Sequence, residues 1–307
     1  MTRSATAAAI AAVLALLPAS LAVAATFGED VEFMSKYVET IVLKRADGKG
    51  MIAVVPAYQG RVMTSSFSGY PGLSMGWINH ELIASGTPVA HINPYGGEDR
   101  FWMGPEGGQF AIFFPKDAPF DLEHWQTPAC IDSEPFEVVS KSDTEVVFTR
   151  TCTVTNWSGT EFKVKIDRTV RIEEMPDIDQ TPPFDKVGGV AFETVNPITN
   201  VGDAPWTKET GLLSIWILGM FNPSPSTTVI IPVREGDEEK LGPMVNDAYF
   251  GKVPADKLVI KDNKIFFSGD GTYRSKIGVS PKRAFANLGS YNAEHQILTT
   301  VRYNQPK

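Results

Sequence analysis

The side chains best able to do chemistry crowd into residues 91 to 109, HINPYGGEDRFWMGPEGGQ. The alternation of a strand from Glu98 to Met103 puts Glu98, Arg100 and Trp102 on one face and Asp99, Phe101 and Met103 on the other. A carboxylate, a guanidinium and an indole side by side suit a sugar. Charged planar groups make paired hydrogen bonds to vicinal hydroxyls, and an indole covers the apolar C–H face of a pyranose. The alternative is a buried Glu98–Arg100 ion pair holding a sheet edge, which presents the same residues in the same order. Gly96, Gly97, Gly104, Gly107 and Gly108 flank the strand and permit positive φ, so the chain is expected to enter and leave through tight turns.

Other titratable groups stand near enough in sequence to join such a site. Residues 68 to 95 are interrupted by Gly69, Pro71, Gly72, Gly76, Gly86 and Pro88, and loops of this kind tend to carry binding residues. This loop holds His80 and His91, candidate proton donors, and Asn93, a candidate ligand contact. Asp99, Glu106 and His124 extend the contact set, with His124 in a loop from Pro115 to Pro128. Glu209 stands at the entrance of the apolar run KETGLLSIWILGM and is a candidate base. A strand from Tyr273 to Gly278 would put Arg274 and Lys276 on one face, able to read a carboxylate or phosphate or simply to face solvent. No P-loop or dinucleotide fingerprint follows a strand, and no CxxC or histidine cluster has metal-ligand spacing, so neither cofactor nor metal is expected.

The elements that must position these residues read as β throughout. Short runs rich in Val, Ile, Thr and aromatics recur at 38–44, 51–55, 61–67 and 110–114, and a long meander covers 136–141, 145–155 and 161–173. In the last of these Val164, Ile166, Val170 and Ile172 share one face, while Lys163, Lys165, Asp167, Thr169 and Arg171 share the other. Arg168 falls among the apolar residues, which calls for a buried acid or a bulge. Further strands are expected at 188–195, 211–220, 227–233, 258–261, 264–268, 273–278 and 297–303, with a polar loop at 177–185 and one short helix at 29–36. So many strands with so little helix imply an all-β fold, a sandwich of two large antiparallel sheets in a single domain from residue 26 to 307.

Residues 1 to 25 look like an address. Arg3 precedes an Ala/Leu run from Ala7 to Leu17, and Ala22-Val23-Ala24 offers a small-residue cleavage pattern, as in a secretory signal peptide, so a periplasmic or secreted protein is expected. The run is too short to span a bilayer. A net charge of −8 and a pI near 5.1 argue against nucleic acid or an anionic membrane as partner. The two cysteines, Cys130 and Cys152, either close a disulfide loop of roughly 22 residues, a contribution of about 3 kcal/mol, or remain separate thiols.

Three segments, AYQGRVMTSSFSG at 57–69, GGEDRFWMGPEGG at 96–108 and ETVNPITN at 193–200, resemble the galactose mutarotase-like superfamily, the β-supersandwich of aldose 1-epimerases. The resemblance implies sugar chemistry in which a histidine protonates the ring oxygen and a glutamate removes the anomeric proton. In that pattern the acid histidine follows the Asn196–Asn200 run, where this chain has Val201, so His80, His91 or His124 would have to take its place. Three functions are therefore open: epimerase-like action on a sugar or sugar acid, binding of a carbohydrate without turnover, and glycan cleavage by Glu98 with Glu106 or Glu209.

Overall fold

A computed structural model describes residues 25–174 and 187–305. The segment read as a signal peptide, up to Ala24, and the 177–185 loop lie outside them. The chain divides into two compact units, one ending at Phe221 and one beginning at Asn222.

The first unit opens with helix α1 (Phe27–Ser35), started by a capping box in which Thr26 and Glu29 satisfy each other's backbone N–H groups. Strands β1 (Ile41–Lys44), β2 (Met51–Val55) and β3 (Arg61–Ser66) form an antiparallel sheet in that order. Every residue of β2 is buried, because its two faces serve two cores. Ile52 and Val54 point into a core shared with the meander, while Met51, Ala53 and Val55 pack with α1 and the short helix α2 (His80–Ser85).

The meander forms as its alternation demands. Strands β5 (Glu137–Lys141), β6 (Glu145–Thr155), β7 (Glu161–Glu173) and β8 (Ala191–Val195) lie side by side, and the short β9 (Ile198–Asn200) also pairs with β7. Phe162, Val164, Ile166, Val170 and Ile172 all enter the core, facing Leu43, Ile52 and Val54 across it, so this unit is a sandwich of two packed sheets. The chain leading into β4 (Arg100–Gly104) bridges β3 at Val62–Asp99, and β4 pairs antiparallel with the largely exposed β10 (Ser214–Leu218) in a two-stranded sheet.

In the second unit β11 (Thr227–Pro232), β12 (Leu258–Lys261), β13 (Lys264–Ser268), β14 (Asn287–Asn292) and β15 (Ile297–Arg302) form a five-stranded antiparallel sheet in the order β12-β13-β11-β14-β15. The one-turn helix α3 (Glu238–Leu241) lies in the charged loop after β11. The all-β class is borne out, with hydrogen bonding distributing the strands over four sheets. Two expected strands do not form. Phe110–Phe114 is irregular chain whose Ala111, Ile112, Phe113 and Phe114 are nonetheless buried, so its apolar run reports burial and not extension. Residues 273–278 hold a single isolated bridge, Asn246 with Gly278.

Candidate functional site

The glycine pair before β4 does what its composition requires. Gly96 and Gly97 have φ of 97° and 103°, and a Cβ on Gly96 would stand 2.1 Å from the Trp77 carbonyl oxygen. Only glycine turns the chain there while a neighbouring backbone passes so close. The turn delivers Glu98 with its amide donating to the Val62 carbonyl at 2.8 Å and its carboxylate accepting from the Ser65 amide at 2.6 Å and the Ser65 hydroxyl. Burial pushes the Glu98 pKa up to about 7, against the downward pull of the Ser65 hydrogen bonds.

Arg100 and Trp102 share a face, as alternation predicts, with the guanidinium carbon 4.2 Å from the indole centroid. The carboxylate that meets Arg100 is Asp132, at 2.7 Å, and not Glu98. Asp132 also accepts from the Asn93 backbone amide at 3.0 Å and side-chain amide at 2.7 Å, so Asn93 and Arg100 converge on a residue that nothing in its sequence surroundings singles out. The Trp102 indole N–H donates to Glu106 at 3.0 Å, and Phe113 stacks on the ring at 5.3 Å. Asp99, on the other face, accepts from Arg168 and from the Thr194 hydroxyl. That answers the anomaly in β7: Arg168 pairs with an acid and also donates to Asn196 and the Gly60 carbonyl.

The hollow expected over this face is filled. Glu98 is 7% exposed, and Arg100 and Trp102 are each 1% exposed. The physical reason is that the 110–114 run and the turn carrying Cys130 to Asp132 pack into the same core as Trp102, where a sugar would have to sit. Glu98, Arg100 and Trp102 are therefore packed inside the first unit, and a sealed Glu98 cannot reach a glycosidic bond alongside Glu106 or Glu209.

The remaining candidates have separate partners. His80 lies 2.7 Å from Asp30 of α1, a contact that raises its pKa, and Asp30 is also bound by the Ser74 hydroxyl. His91 bonds the Trp125 carbonyl at 2.7 Å, and His124 bonds Asp121 at 2.6 Å three residues away. Glu209 is exposed, with hydrogen bonds from its own backbone and from Thr207 lowering its pKa. Among the described residues no hydrogen bond or ion pair links any two of His80, His91, Glu98 and Glu209. Asp30 and Asp132 are the residues that sequence reasoning missed. Asp30 carried a faint signal, an acid in the first turn of an amphipathic helix.

Two further regions are open to solvent. In the second unit Arg274 stands 4.6 Å from the Phe250 ring centroid and Lys276 4.5 Å from that of Tyr249, while the two rings meet edge to face at 4.7 Å. Tyr249 is 65% exposed and Phe250 43%. In the first unit Cys130 and Cys152 are both unbridged thiols, and they line a cavity of about 390 Å³ with Glu134 and Arg150.

These features define the class: an all-β protein of antiparallel sheets, a packed sandwich in its first unit, in which no helix of the described residues is long and apolar enough to cross a membrane. The chain belongs to a family of unknown function, DUF6786, which it matches over residues 25–307. No curated protein matches it. Among solved structures it is similar to the Slr1438 protein from Synechocystis sp. PCC 6803, at 12% identity over 86% of this chain and 77% of that one, with a TM-score of 0.43.

Proposed function

We infer that this is an exported carbohydrate-binding protein without turnover, and that its ligand is a saccharide bearing acid groups. The observation that carries this reading is the exposed surface of Tyr249 and Phe250 with the exposed Arg274 and the half-buried Lys276 beside them. Each cation lies over one face of a ring and the two rings meet edge to face, so the aromatic surface that stays exposed, 65% of Tyr249 and 43% of Phe250, is what is offered to the C–H face of a sugar. Arg274 and Lys276 are placed to meet the carboxylate of a uronic acid beside it. Binding is favoured over catalysis because the acid and base that mutarotation needs on opposite sides of one sugar have separate partners here, and Val201 stands where the superfamily pattern has its histidine. The resemblance of the 57–69, 96–108 and 193–200 segments to the galactose mutarotase-like superfamily supports a sugar ligand, and the 1–25 segment supports export.

The test is titration calorimetry of the full chain with oligogalacturonate and with the matching neutral oligosaccharide. Binding of the acidic ligand that weakens as salt is raised, with no anomer interconversion above the buffer rate by optical rotation, is the expected result. Absence of binding to both ligands removes the saccharide reading. Interconversion faster than buffer replaces binding with mutarotation.

A further inference from the structure

The cavity beside the cysteines is built differently from the rest of the molecule. Cys130 lies in a single 3-10 turn, Ala129–Ile131, at 4% exposure, and Cys152 lies half-buried on β6, opposite Val164 of β7. The chain brings them together across the strand–turn boundary, so that both line the same cavity and interact with each other. Arg150, two residues along β6 and on the same face, is ion-paired to Glu134, and its Nε is buried without a hydrogen-bond partner. Ile112, Pro128 and the β6 residues Thr151, Thr153 and Thr155 complete the walls. The space is large enough for a small peptide-like molecule.

We propose that Cys130 and Cys152 are a redox couple that exchanges with small disulfides bearing carboxylates, which dock in this cavity against Arg150, with Cys152 as the attacking sulfur and Cys130 as the resolving one. The interaction with Cys130, and then the Arg150 charge, hold the Cys152 thiol below its ordinary pKa against the upward push of its own burial, while the same interaction and burial push Cys130 up. Cys152 is also the more exposed of the two sulfurs, so it is the one an incoming disulfide meets first. The Cys152 thiolate attacks one sulfur of the incoming disulfide. A Cys152–ligand S–S bond forms, the ligand's own S–S bond breaks, and the first small thiolate leaves and takes a proton from water. Cys130 then loses its proton and attacks Cys152, closing Cys130–Cys152 and releasing the second small thiol. Two electrons pass from the protein to the small disulfide, and reduction by an excess of small thiol reverses the sequence. This inference stands independently of the saccharide reading.

The full-length protein, reduced and freed of reductant, is mixed with glutathione disulfide and followed by intact mass spectrometry. Wild type is expected to lose two hydrogens and hold no glutathione. Cys130→Ser is expected to stop at one glutathione on Cys152, and Cys152→Ser to stay unmodified. Arg150→Gln should slow the reaction roughly tenfold with glutathione disulfide and much less with uncharged hydroxyethyl disulfide. Limiting iodoacetamide on wild type provides a readout that needs no variant, with Cys152 labelled well before Cys130. Equal or reversed labelling, a Cys130→Ser protein that accumulates no adduct, or cysteines that stay reduced in excess glutathione disulfide overturns the couple. Equal slowing with both disulfides overturns the role of Arg150.

Discussion

Each unit sets an arginine over an aromatic ring, and one such pair from each has the opposite consequence. Arg100 lies 4.2 Å from the Trp102 ring in the first unit, and Arg274 lies 4.6 Å from the Phe250 ring in the second. Arg100 is buried, and Asp132 brings it a carboxylate from a distant turn. Its charge is thereby neutralised and its neighbours close over it. Phe250 and Arg274 both lie open, so the guanidinium keeps its contact with water. A guanidinium over an aromatic ring is thus a packing device or a recognition device according to its burial.

The largest effect is expected where the buried pair is broken. Asp132→Ala leaves Arg100 without its carboxylate and should lower unfolding free energy by about 3–5 kcal/mol in urea titration. A loss below about 1 kcal/mol would mean that water reaches Arg100 and that the two regions are alike.

Next comes Glu98→Gln. The Glu98 pKa is raised from 4.5 to about 7, so the folded state holds a proton that the unfolded state has released across that window. Wild-type stability is therefore full below pH 4.5 and falls as pH rises to about 7. The Gln variant should be free of that slope, ending more stable above pH 7 by on the order of 3 kcal/mol. Stability curves of the two proteins that stay parallel from pH 4.5 to 7.5 would contradict it.

His80→Gln should act in the same direction but more weakly. The Asp30 contact raises the His80 pKa, so its contribution is present below pH 6.5 and disappears as pH climbs through the raised value. About half of the ring is exposed, which shrinks the effect. Thermal denaturation from pH 5 to 8 measures it, and an unchanged pH profile would remove the contribution.

The smallest stability change is expected from Tyr249→Ala combined with Phe250→Ala, within about 0.5 kcal/mol for each surface site, together with loss of oligogalacturonate binding in calorimetry. A large destabilisation would place these rings in a core and erase the contrast with Trp102.

Much of the fold was legible in the residues. β2, β6, β7, β12 and β13 begin and end where alternation and turn residues put them, and of the two readings of the inward Arg168, an acid partner or a bulge, it is the acid that is met, in Asp99. β14 was missed because Gly289 and three polar residues dilute its pattern. A Cβ on Gly289 would stand 2.5 Å from the Thr299 carbonyl oxygen, a close approach of β15 that composition cannot show. The candidate site was legible only as a list of residues. Alternation put Arg100 beside Trp102, but both Asp132, the carboxylate that meets Arg100, and the Phe113 ring that stacks on Trp102 arrive from loops with no strand period.

Local alternation and turn chemistry determined the class of fold, the meander and the sharing of a face by Arg100 and Trp102, because these depend on backbone geometry within a few residues. Only the tertiary structure decided that this face is closed, that Cys130 meets Cys152 and that Tyr249 and Phe250 stay in water. Burial is set by chain arriving from far away in sequence, and a strand's period carries no information about what will be packed on top of it.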